Sequence, residues 1–294
     1  MNTAPLTIVT CSYGPDAGRC RRLCQSIDRF VPTTIEHCII VPRRDYPLFS
    51  DLHQGRRRVH VTEEIVPGNF RHLPAARKLW LGPGAWPVRG WIMQQVTKLS
   101  SNYVTDTELL MFADSDLEFI RPLDEALLHR GGELRLHRIP GAKHSGDHLQ
   151  WHHRAARLLG EQTRYFGSDY VGQLITWRRS NLEGLQAHLE AVNGTPWYRP
   201  VARSLKFSEY ILYGAYVEHV LGKARNGHFY CADEICHCCW EPADAVELGN
   251  GSAVVSGRAQ AILLQSNLGL QADQEAALLS RARNHINPIV SHGH

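Results

Sequence analysis

The sequence predicts an α/β fold built on a mostly parallel sheet, and three observations predict it. Strand-like and helix-like runs alternate from the first residues onward, the pattern of parallel strands joined by crossover helices. The run Leu109-Leu110-Met111-Phe112-Ala113 is a continuous apolar stretch of strand length, as a fully buried strand requires. That run passes directly into Asp114-Ser115-Asp116, at the carboxyl edge where open α/β sheets bind ligands.

The elements follow in order. Leu6 to Thr10 is β-type and is closed by the turn cluster Ser12-Tyr13-Gly14-Pro15-Asp16. Cys20, Leu23, Cys24, Ile27 and Phe30 then recur at helical spacing, with Arg19, Arg21, Arg22 and Arg29 between them. His37 to Val41 reads as a second strand, stopped by Pro42, and Arg58 to Thr62 as a third. Residues 66–90 are rich in Pro and Gly without a clear period, which predicts a long functional loop. Trp91 to Leu99 reads as a helix with Ile92, Gln95, Val96 and Leu99 on one side. Asp124 begins a short helix, and Glu133 to Arg138 alternates as a strand. Further on, Val171 to Trp177 reads as a strand, Asn181 as the cap of a helix to about Val192, and Ser208 as the cap of one from Glu209 to Leu221. Ala259 to Leu264 is a late strand and Gln271 to His285 a final helix. No internal repeat interrupts the pattern, so residues 1–294 read as one unit.

Composition narrows the function. The 294 residues are 43% hydrophobic and 21% charged, enough apolar surface for a large core without staples. Thirty-two Lys and Arg against 29 Asp and Glu leave a net charge of +3, which argues against nucleic acid or an anionic membrane as partner. No apolar run has the length of a membrane span, and MNTAPLTIVTCSYG lacks the basic start of a signal peptide, so a cytoplasmic protein is expected. Eight cysteines then read as free thiols, with Cys20 and Cys24 as small core residues. Cys231, Cys236, Cys238 and Cys239 gather around His237 but lack the second ligand pair of a structural zinc site.

The sharpest chemical signal is the pair Asp114 and Asp116. Strand alternation would point both carboxylates to one side, where they repel unless a cation lies between them. A hard divalent ion, manganese or magnesium, with phosphate oxygens in its shell is the natural partner. His148 and His152 stand four apart, a spacing that could grip a metal from a helix. The reading preferred here is a solvated helix face in a lid or acceptor loop.

This arrangement, with TIVTCSYGPD at residues 7–16 and GWIMQQVTKL at 90–99 before the acidic pair, resembles bacterial GT-A-type glycosyltransferases over roughly residues 5–240. The resemblance implies a GT-A-like single domain, with a donor-binding half at about 5–125 and an acceptor-side half at about 126–290. It implies a nucleotide-sugar donor, with a UDP-sugar favoured, a small-molecule or glycan acceptor, and a divalent metal held by Asp116 with Asp114, completed by His237. Asp114 would also contact the donor, as would Lys98. Thr10, Tyr13 and Asp45 would lie near the nucleotide base, although Arg43-Arg44-Asp45 stands where such enzymes carry an acidic DDGS-like motif. Glu209, just after the Ser208 cap, is the expected general base of an inverting single displacement, with Asp169 as second choice. Each has a plainer reading: a core imidazole for His237, a dipole-favoured cap for Glu209, a solvated lysine for Lys98.

Other classes fit less well. A haloacid-dehalogenase-type phosphatase also uses an apolar strand ending in DxD, but it expects Thr or Val where Glu118 stands. A sugar nucleotidyltransferase wants a Gly-rich basic loop after the first strand, and SYGPDAGR is a poor match. A non-catalytic sugar-binding or scaffold protein is the remaining alternative. The aromatic residues Trp177, Trp197, Tyr198 and Trp240 could stack a sugar ring and could equally be core.

Overall fold

The computed structural model describes residues 5–286 apart from 74, 75, 77 and 85, and leaves aside the side chains of 284–286. Its strands, in chain order, include β1 (Leu6–Cys11), β2 (Glu36–Val41), β3 (Arg57–Val61), β4 (Leu109–Phe112), β5 (Leu117–Phe119), β6 (Glu133–His137), β7 (Ile175–Arg178), β8 (His228–Cys231), β9 (Cys236–Cys239) and β10 (Ala261–Leu264). Its longer helices are α1 (Ala17–Phe30), α2 (Gly90–Lys98), α3 (Gly146–Leu158), α4 (Arg179–Asn193), α5 (Glu209–Ala215), α6 (Pro242–Asn250) and α7 (Ala272–Ile286).

The central sheet runs β3-β2-β1-β4-β7. The first four strands in that order are parallel, and β7 closes the edge antiparallel to β4, with Ile175 opposite Phe112. From β1 the chain builds outward to β2 and β3, then returns to lay β4 on the other side. The strand order therefore reverses between β1 and β4, which makes their carboxyl ends a topological switch point. Both faces of β4 are covered. Leu110 and Phe112 join the core against α2 and α5, while Leu109 and Met111 join the core against α1. On α1, Cys20 and Cys24 pack against Ile39 and Phe49, so the helical stripe in the sequence is the buried stripe.

Smaller sheets flank this centre. β8 pairs in parallel with β6, and β9 with β10, while β10 runs antiparallel to β5. The α7 carboxylate Glu275 is buried and pairs with Arg19, 2.6 Å away, and with Arg22, so the last helix is tied to α1. No helix among the described residues is long and apolar enough to cross a membrane.

Four sequence expectations are corrected. The 66–90 loop holds a small antiparallel sheet of Arg71–His72, Leu79–Leu81 and Pro87–Arg89, anchored where Trp80 and Val88 reach the core; positions 74, 75, 77 and 85 of that loop lie outside the described residues. The strand expected over 171–177 joins the sheet only from Ile175 and runs on to Arg178, because Leu174 takes a left-handed backbone (φ 52°) that turns the chain away. Asn181 is not a cap: α4 begins at Arg179, and Glu108 caps it by accepting from the Ser180 N–H (3.2 Å) and hydroxyl (2.7 Å). Asn181 lies buried inside the helix and donates to the Asn226 carbonyl at 2.7 Å. The helix capped by Ser208 ends as α-helix at Ala215 and continues as a π-turn over Tyr216–Leu221.

Candidate active site

At the switch point a buried lysine organises the charges. The apolar stripe of α2 sinks Ile92, Met93 and Val96 into the core and carries Lys98 in with it, 4% exposed. Lys98 Nζ lies 3.0 Å from Asp114 Oδ1 and 3.2 Å from Glu209 Oε1, donates to Tyr210 Oη at 2.9 Å, and sits 4.7 Å from that tyrosine's ring centre. Burial works against its charge, but Asp114, Tyr210 and Glu209 outweigh it and hold the ammonium well above its usual range. The solvated-lysine reading is thereby corrected.

Asp114 has both oxygens engaged, one by Lys98 and the other by Gln173 Nε2 at 3.1 Å. Burial would raise it, yet Lys98 and these hydrogen bonds hold it below the usual carboxylate range. Asp116 behaves in the opposite way: burial first, then the Asp114 charge, push it up to about 7. The two residues sit in a turn rather than on a strand, closed by Leu117 N–H donating to the Asp114 carbonyl. Strand alternation therefore does not set their directions. Asp116 Oδ2 accepts from the Ser266 N–H at 3.1 Å, a contact from the far end of the chain.

Glu209 opens α5. Ser208 caps that helix by accepting from Ile211 N–H, and Glu209 N–H donates to Gln95 Oε1 at 3.1 Å, which fastens α5 to α2. The Glu209 carboxylate is buried, which raises it despite Lys98 beside it.

Beside this cluster opens a cavity of about 260 Å³, walled by Cys11 at the end of β1 and Tyr13 after it, Pro42 and Arg44 after β2, Thr62 after β3, and Trp80 and Trp91. Cys11 links the two, because its thiol also feels Lys98, Asp114 and Glu209. Of the residues expected near the nucleotide base, Tyr13 lines the cavity. Thr10 does not: it is fully buried, donating to the Ala113 carbonyl at 2.8 Å and bonded to His37 at 2.9 Å. Asp45 is buried too, where its carboxylate accepts from the Gly14 N–H at 3.0 Å and ties the turns after β1 and β2 together. Gly14 fits this contact because a β-carbon there would stand 2.9 Å from the carboxylate.

The third expected metal ligand is not brought to the aspartates. His237 shares a strand face with Cys239, which packs against α6 and α7, and its charged neighbours are Asp244 and Glu234. Cys236 and Cys238 take the other face of β9. Among the described residues, no three His, Cys, Asp or Glu side chains are grouped to hold a metal. The acidic turn still fits a magnesium-type ion, which binds through one or two carboxylates and fills its shell with phosphate oxygens and water. Asp116, half-buried and holding a single hydrogen bond from another residue, is the group with lone pairs to spare.

The α3 histidines are not a metal grip or a uniformly solvated face. His152 is fully buried against Tyr165 and Phe166, while His148 Nδ1 lies 3.2 Å from Asp169 Oδ1. Trp177 is core, stacked on Tyr213 at 4.5 Å, and Trp197 is buried, whereas Trp240 is exposed. Gln173, Gln95 and Tyr210 are site residues that sequence reasoning missed. The signal for Gln95 was its place on the buried stripe of α2, where an amide needs a partner.

Fold and site together define an α/β protein with a cluster of buried charges beside a cavity at a sheet switch point. The chain belongs to a family of unknown function, DUF6492, which matches residues 3–242. No curated protein matches it in sequence. Its structure is similar to a crystal structure of an active-site mutant of LgtC, with 11% identity, a TM-score of 0.47, and 93% of this chain and 95% of that chain covered. It is also similar to a structure of the galactosyltransferase LgtC with donor and acceptor sugar analogues, at 11% identity and a TM-score of 0.45 over the same shares.

Proposed function

We propose that this protein is a glycosyltransferase that moves a sugar from a nucleotide-sugar donor, a UDP-sugar first, to an acceptor hydroxyl, as one domain. The observation that carries the reading is the meeting, at one switch point, of the cavity after β1 to β3 and the acidic turn of Asp114 and Asp116. In this reading the nucleoside occupies the cavity beside Tyr13, Trp80 and Trp91, and its diphosphate extends toward Asp116. Asp116, with Asp114 beside it, would hold a magnesium or manganese ion. When bound, that ion supplies charge stabilisation to the departing nucleoside diphosphate.

The chain's own residues do the positioning. Lys98 fixes Asp114 from one oxygen and Gln173 fixes it from the other, so the carboxylate meets a donor in one orientation. Glu209 was expected to take the acceptor proton. Its burial and its contact with Lys98 support a different task, that of counter-ion to the ammonium. The transfer is read as a single displacement with inversion at the sugar carbon.

A thermal-shift panel tests the reading. UDP-, GDP-, dTDP- and CDP-hexoses are added with and without manganese or magnesium to the parent and to Asp116→Ala. A donor that binds only the folded state raises the melting temperature, and here the rise should need the ion and vanish in the variant. A parent whose melting point moves with none of these donors sinks the proposal.

A further inference from the structure

We propose that His148, aimed by Asp169, is the base that takes the proton from the acceptor hydroxyl, at a subsite walled by Trp151 and Trp91. The inference rests on the transferase reading and gives it a proton acceptor.

Asp169 is 2% exposed, so it does not itself meet a substrate. Its Oδ1 accepts from the backbone N–H of Tyr170 at 3.0 Å and of Val171 at 3.4 Å, which locks its direction. His148 Nδ1 is 3.2 Å from the same oxygen. An ionised carboxylate only accepts, so the imidazole proton sits on Nδ1. The tautomer is thereby set: Nε2 carries the lone pair, and among the described residues it has no partner. The His148 side chain is 22% exposed, within reach of a ligand. Its neighbour His152, one turn along α3, is fully enclosed and cannot serve.

Two links tie this dyad to the cavity and to Asp114. The His148 ring packs on Trp151, with centroids 4.4 Å apart, and Trp151 packs on Trp91 at 5.9 Å. Trp91 is 45% exposed and lines the cavity. Indole faces offer apolar area to the C–H face of a sugar ring, with the imidazole at their edge for a hydroxyl. The second link is covalent. The chain runs from Asp169 to Gln173, which donates to Asp114, so the two Cα atoms are at most about 14 Å apart.

In the step, the acceptor oxygen bonds to the donor's anomeric carbon as the bond from that carbon to the diphosphate oxygen breaks. The breaking bond's electron pair leaves with the nucleoside diphosphate. The acceptor's proton passes to His148 Nε2, and Asp169 faces the resulting imidazolium. His148 is then a catalytic residue and Asp169 a positioning residue.

The test uses the full chain, the nucleoside-diphosphate hexose panel, and a set of mono- and disaccharide acceptors. Donor binding is read by thermal shift and turnover by released nucleoside diphosphate. His148→Ala should bind donor as the parent does and lose ~10²-fold or more in kcat, with donor KM nearly unchanged. Added imidazole should restore part of that rate, which it would not do for a merely structural histidine. His148→Gln should lose rate without imidazole rescue, because its side chain still fills the space. Asp169→Asn should lower kcat in the parent background and add little to His148→Ala. A parent that transfers sugar while His148→Ala keeps its rate overturns the dyad alone, as does a rate loss that imidazole leaves untouched. A parent that binds and turns over no donor overturns the transferase reading and the dyad with it.

Discussion

Asp114 and Glu209 grip one buried ammonium, with Lys98 Nζ 3.0 Å from the first and 3.2 Å from the second. Removing the cation leaves two carboxylates without their counter-charge, so Lys98→Met should cost about 3–5 kcal/mol. Urea unfolding of Lys98→Met, Glu209→Gln and the double variant checks this. The double variant should recover part of the loss, because neutralising Glu209 removes one stranded charge. Strictly additive losses would show that the pair is not coupled.

Asp116 makes stability depend on pH in a direction opposite to most carboxylates. Its folded-state value, about 7, stands above the ordinary 3.8, so between those values the folded chain holds a proton that the unfolded chain has released. Stability must therefore fall as pH rises through that window. Without divalent ions, Asp116→Asn should melt a few degrees above the parent at pH 8 and lose that advantage toward pH 4. Parallel melting curves for the two across that range would refute the assignment.

Trp80 and Trp91 both line the cavity, one buried and one 45% exposed. A nucleotide that fills it should quench their emission. Titrating UDP against the parent, Trp80→Phe and Trp91→Phe should show a smaller fractional quench in each variant. Equal quenching in all three would place the nucleotide elsewhere.

Gly214 has no room for a side chain, since a β-carbon there would stand 2.3 Å from the Tyr170 ring. That ring cannot easily yield: Tyr170 N–H donates to Asp169, and its hydroxyl donates to Glu218 at 2.8 Å. Gly214→Ala should therefore cost about 1–3 kcal/mol despite alanine's better helix propensity. A variant as stable as the parent in denaturant titration would mean that the helix shifts freely.

How far the sequence reveals this molecule depends on the range of the interaction. The β4 run and the α1 stripe were legible because burial on two faces or one leaves a period in the residues themselves. So was the Ser208 cap, a contact three residues long. The Lys98 cluster was not, because residues 98, 114 and 209 meet only after two helices pack on the sheet. Asn181 was misread as a cap because Glu108, just ahead of β4 and about seventy residues earlier, reaches the helix start first. Thr10 was misread because a hydroxyl at a strand end looks free until the neighbouring strand's Ala113 carbonyl is placed beside it. The charged neighbours of His237, Asp244 and Glu234, come from the loop before β9 and the helix after it, and a local pattern does not show which charges a strand will meet.

The family match ends at residue 242, yet what fastens the acidic turn lies past it. Leu264 N–H donates to the Asp116 carbonyl, Ser266 N–H to its carboxylate, and Glu275 holds Arg19 and Arg22 nearby. β10 also screens the edges of β5 and β9. A chain cut after α6 would bare two strand edges that invite self-association, and would leave Asp116 on a turn without these tethers. The segment from β10 to α7 acts as a keystone, so a tag, fusion or nick placed within it is felt at Asp116.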